Sequence, residues 1–103
     1  MRLRLSPFVP GDLEGIAEYI ARDSPRQALR VLRQLRARLK EIARQPLLYR
    51  LRPEIGAEAR LANMGSYVVL FRIRENTVRI ERVVHGGRNL PALLKDTEIS
   101  RDF

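Results

Sequence analysis

Tyr67-Val68-Val69-Leu70-Phe71-Arg72-Ile73 and Thr77-Val78-Arg79-Ile80-Glu81-Arg82-Val83-Val84 are two runs of β-branched and aromatic residues that meet at Glu75-Asn76. Side chains of this kind pack well on a pleated surface, so the pair reads as an antiparallel hairpin. The second run empties into His85-Gly86-Gly87-Arg88, which places the single histidine, two glycines and an arginine at the end of a central strand. Strand ends are where a rigid scaffold presents functional groups. Alternation puts Tyr67, Val69, Phe71 and Ile73 on one face and Val68, Leu70 and Arg72 on the other. On the partner strand it groups Val78, Ile80 and Val84 against Arg79, Glu81, Val83 and His85.

Upstream of the hairpin the pattern changes to helical. Ser24-Pro25-Arg26-Gln27 combines a serine N-cap, a proline at the first helical position and a glutamine at the third, so a helix starts there. Ala28, Leu32, Leu35, Leu39 and Ile42 then recur at steps of four and three, one apolar stripe on a helix of about 18 residues, roughly 27 Å. Pro46 stops it, having no amide hydrogen to donate. Before Ser24, Leu13, Ile16, Ala17 and Ile20 mark a first helix from Pro10, with Asp12 and Glu14 in the turn where the helix dipole favours carboxylates. The short link predicts an antiparallel helical hairpin whose joined stripes cover one face of a sheet.

Leu3 and Leu5 alternate with Arg2 and Arg4, which predicts a short first strand with one face buried. Leu47 to Gly56 reads as a loop carrying Tyr49, Arg50 and Arg52, and Glu58 to Asn63 as a weaker strand turning at Gly65-Ser66. Leu90, Leu93 and Leu94 predict a short helix in the tail. The order is β-α-α-β-β-β, an α+β fold with a helical hairpin on one face of a mainly antiparallel four-stranded sheet.

At 103 residues without a composition break, residues 1–103 are expected to form one domain. Absence of cysteine excludes disulfides, thiolate metal sites and cysteine nucleophiles. One histidine with scattered carboxylates gives no metal-ligand spacing, and Gly86-Gly87 alone is no phosphate loop, so no metal or cofactor is implied. Without a signal-peptide core or a bilayer-length apolar run, the chain is expected in the cytoplasm. The net charge is +8, and residues 25–52 account for it with nine cations and one carboxylate. Such a distribution suggests a polyanionic partner or an acidic protein, the alternative being a solvated helix face.

Asp12-Leu13, Ile16, Tyr19-Ile20, Ser24-Pro25, Ala28, Pro46, Arg60, Tyr67-Val68-Val69, Phe71-Arg72 and Val83-Val84-His85-Gly86-Gly87-Arg88, set on that order of elements, resemble the RelE/ParE superfamily of bacterial toxins. The match runs from residue 3 to about residue 94. The resemblance implies the growth-inhibiting toxin of a type II toxin–antitoxin module, neutralised by a small, often acidic antitoxin. RelE-like members cut mRNA on the ribosome by attack of a 2′-hydroxyl, which requires a base, cations on the phosphorane and an acid. ParE-like members poison DNA gyrase without an established catalytic set.

If the chain is such a ribonuclease, the resemblance implies that Arg60 stabilises phosphate charge, His85 serves as acid or base, and Arg88 reaches a phosphate. Arg60 is otherwise an edge-strand charge, His85 a structural or antitoxin-contacting histidine, and Arg88 a contact to an antitoxin carboxylate. No residue fills the acid role: Lys95, Arg101 and Phe103 are the C-terminal groups on offer, Tyr49 sits in a loop, and Tyr67 heads a strand. The ending His-Gly-Gly-Arg-Asn-Leu resembles the ParE branch and favours a gyrase-directed toxin. A ribosome-dependent endoribonuclease is the alternative, and a non-toxic antitoxin-binding protein a third reading.

Overall fold

A computed structural model describes residues 1–98. Its elements are β1 (Arg2–Leu5), α1 (Val9–Ala21), α2 (Pro25–Arg44), a 3-10 turn (Pro46–Leu48), β2 (Arg60–Met64), β3 (Tyr67–Arg74), β4 (Thr77–His85) and α3 (Leu90–Glu98). The sheet order is β1-β4-β3-β2, with β1 parallel to β4 and the other pairs antiparallel. β4 is therefore interior, and β1 and β2 are the edges. This is the α+β architecture predicted above, with α3 added on the second face.

Local chemistry accounts for the boundaries. Glu75 and Asn76 have φ of 48° and 61°, the left-handed pair whose twist suits a two-residue hairpin turn. Ser24 Oγ accepts the Gln27 amide at 3.1 Å, and Pro25 opens α2. Gln45 follows α2, and Pro46 begins the tighter turn.

The main core lies between the helical hairpin and one sheet face. Leu13 and Ile16 of α1 and Leu35, Leu39 and Ile42 of α2 meet Val69, Phe71, Val78, Ile80 and Val83. The opposite sheet face is covered as well: Leu90, Leu93 and Leu94 of α3 pack on Val68, Leu70 and Val84, with Ile55 and Ala59 of the loop before β2 alongside. On that outer face Glu81 is fully buried between two arginines, with its carboxylate 2.9 Å from Arg72 Nη2 and 2.7 Å from Arg79 Nε.

Two expectations change. Val83, not Val84, joins Val78 and Ile80 on the helix side. The register slips between Leu70 and Phe71, which pair with Arg82 and Ile80, so Glu81 is an extra residue in β4. Such a bulge lets two residues oppose one and reverses simple alternation beyond it. The second change concerns β1, whose four residues are all exposed, Leu3 by 37% and Leu5 by 46%. The hairpin closes over β3 and β4 and stops short of the β1 edge, so the predicted buried face is open.

Candidate functional site

Past the bulge, β4 runs beyond the end of β1, whose last residue Leu5 pairs with Ile80. The strand end there is sided by α1 instead of by a strand. Asp12 of α1 ties the two together: its carboxylate accepts both Arg82 Nε at 2.8 Å and Nη2 at 2.7 Å, and also the Val83 amide at 3.0 Å. Both side chains are largely buried, and the hydrogen bond to Asp12 holds the Arg82 guanidinium above the usual arginine range. Arg82 also stacks over Phe8, 5.0 Å from the ring centre. The end of β4 is therefore rigidly placed against α1.

The cleft so formed, about 440 Å³, is bounded by Gly11, Gly15 and Tyr19 of α1 and by Tyr67, His85 and Arg88. Tyr67 and His85 are cross-strand partners with ring centres 4.9 Å apart and planes tilted by 59°. His85 and Arg88 are exposed, and the Arg88 amide closes the Gly-Gly turn on the His85 carbonyl at 3.1 Å. Gly86 donates to the Ser66 carbonyl at 3.0 Å, pinning the turn to the start of β3. Aromatic faces, one imidazole and one guanidinium on a fixed turn equip the cleft to stack and to hydrogen-bond.

Arg60 is not part of it. It pairs with Phe71 on the edge strand β2, four residues along β3 from Tyr67 and two strands from β4. That separates its backbone from His85 by roughly 17 Å at ordinary strand spacings. Its guanidinium donates to the Tyr49 carbonyl, and the Tyr49 ring stands edge-on to Phe71 at 5.6 Å. Arg60 thus clamps the loop after α2. The structure brings His85 and Arg88 together with Tyr67, and leaves Arg60 and Tyr49 elsewhere. Lys95 lies on α3, and Arg101 and Phe103 fall outside the described residues. Among the described residues no group of three or more histidines and carboxylates is placed to hold a metal ion.

A larger concavity lies along β1, away from His85. Leu3 and Leu5, Leu13 and Ala17 of α1, and Leu32 and Leu39 of α2 floor a groove of about 650 Å³, rimmed by Glu14, Arg36 and Lys40. Only Leu3 and Leu5 depart from the expected core, since Leu13 and Leu39 are buried in it and Leu32 packs against it; the alternation of Leu3 and Leu5 with arginines gives no sign that the helices stop short. The groove runs beside the outer edge of β1, whose backbone groups on that side face no neighbouring strand among the described residues.

No helix among the described residues is long and apolar enough to cross a membrane. The chain is similar in fold to a structure titled as the chromosomal ParDE TA system from P. aeruginosa, with a TM-score of 0.73, 19% identity, and coverage of 82% of this chain and 95% of that one. Among curated proteins none matches. The family described as ParE toxin of type II toxin-antitoxin system, parDE, matches over residues 3–90, most of the 103. The elements that shape the cleft and the groove lie within that span, and the chain belongs to the ParE toxin family.

Proposed function

We propose that this chain is a growth-inhibiting toxin that poisons DNA gyrase and is neutralised by a cognate antitoxin seated in the β1 groove. The observation that carries the choice of target is the separation of Arg60 from His85 and Arg88. Transesterification of RNA needs a base, an acid and cationic groups around one phosphate. Here the guanidinium that would stabilise the phosphorane is bonded to the Tyr49 carbonyl, on a residue whose backbone lies roughly 17 Å from that of His85. Family membership favours the same target.

The antitoxin assignment rests on the groove. Its apolar floor fits an amphipathic segment, and the unpaired β1 edge fits an added strand. Arg36 and Lys40 at the rim suit an acidic partner. The similar P. aeruginosa structure is described as a toxin–antitoxin system, which supports the same pairing here.

The test is purified toxin added to gyrase, relaxed plasmid and ATP. Supercoiling should fall while linear, gyrase-cleaved plasmid accumulates. Undiminished supercoiling, with new transcript 5′ ends inside translated frames after induction in cells, would replace this reading with the ribonuclease.

A further inference from the structure

The outward face of α2 meets the β1 groove only at Lys40, and it carries a row of exposed cations. Arg26, Arg30, Arg33, Lys40 and Arg44 recur at steps of four, three, seven and four, and all are exposed. At about 100° per residue they fall within roughly 80° of arc, nearly opposite Ala28, Leu35, Leu39 and Ile42. They extend over about 27 Å. Among the described residues none of the five is in an ion pair; Arg30 donates to Gln27, and Glu41, the helix's one carboxylate, lies 4.0 Å from Arg38.

We propose that this stripe is a binding site for the phosphate backbone of duplex nucleic acid. Protein interfaces are built round an apolar centre with charge at the rim. This stripe is the reverse, cations throughout, with Ala37 the one uncharged residue in line. A polyanion without apolar surface is its complement, and a duplex offers a charge every 1.7 Å or so of axis, about 16 over the stripe's length. A row made of cations alone fits phosphates, whose contacts position a duplex without reading its sequence. The apolar groove lies on the other side of α2, with Lys40 alone common to both, so a duplex and a groove ligand can be held together. The site is inferred from charge and geometry alone and does not depend on gyrase being the target.

The test is fluorescence anisotropy of the full chain with a labelled 20-base-pair DNA duplex between 50 and 200 mM NaCl. Five phosphate contacts give a slope of log K against log salt of about −4.5, a weakening of roughly 500-fold over that range. Two unrelated sequences should bind equally. The triple variant R26Q/R30Q/R33Q, with unchanged circular dichroism, should bring the slope to about −2, whereas K95Q on α3 should leave it unchanged. A wild-type slope shallower than −1, or an unaltered slope in the triple variant, would overturn the assignment. So would polyglutamate competing as well as unlabelled duplex, which would give the stripe to an acidic protein. Gyrase inhibition is a separate readout, so either idea can fail without the other.

Discussion

Replacing Asp12 by alanine tests how the end of β4 is held. The side chain accepts two charge-assisted bonds from Arg82 and one from the Val83 amide. At 9% and 12% side-chain exposure the pair is poorly screened by solvent. Asp12→Ala leaves a mostly buried guanidinium without its anion and an amide without its acceptor. Breaking a buried pair from one side costs about 3–5 kcal/mol. A chain of this length has about 5–15 kcal/mol in total. With a urea m-value of about 2 kcal/mol/M, the midpoint should fall by roughly 2 M. Urea unfolding followed by circular dichroism measures it. The partner variant Arg82→Met removes the cation and keeps an aliphatic stem over Phe8, so the double variant should recover about 2 kcal/mol relative to Asp12→Ala. A loss below about 1 kcal/mol for Asp12→Ala, or single-variant costs that add to within ~0.5 kcal/mol, would show that the pair does not anchor the strand.

Ser24→Ala should cost about 1 kcal/mol in the same unfolding assay, through loss of the bond to the Gln27 amide. Gly56→Ala should cost about 1–3 kcal/mol, because its Cβ would overlap Leu94 Cδ2 and push α3 outward; faster amide exchange in α3 locates the effect. Leu3→Ser with Leu5→Ser, residues 37% and 46% exposed, should cost about 1–3 kcal/mol in the same unfolding assay, and weaken antitoxin binding at least tenfold by calorimetry. Unchanged affinity would move the antitoxin off the groove.

Much of the fold was legible because its signals are local. Ser24-Pro25 and Pro46 bound α2 through capping and a missing amide hydrogen, and Glu75-Asn76 tolerate the φ values of the hairpin turn. What was hidden depends on distant partners. Leu3 and Leu5 look like core to any periodicity argument, and their exposure follows from where α1 and α2 end against the sheet. Arg60 is placed by its strand register and by a carbonyl eleven residues earlier, neither of which spacing reveals. His85 and Arg88 are close because only Gly86 and Gly87 separate them. Tyr67 joins them through strand pairing, and Tyr19 through the packing of α1.

Glu81 acts on β4 as an inserted letter acts on a reading frame. Because the bulge absorbs it, the histidine four positions later keeps Tyr67 as its partner and looks toward α1; the same letters paired without a bulge would point that imidazole at α3 and the buried arginines. Two strands with the same letters up to His-Gly-Gly therefore display the ring on opposite sides of the sheet when only one of them is bulged. An aligned histidine carries a role from one to the other only when the cross-strand register agrees as well.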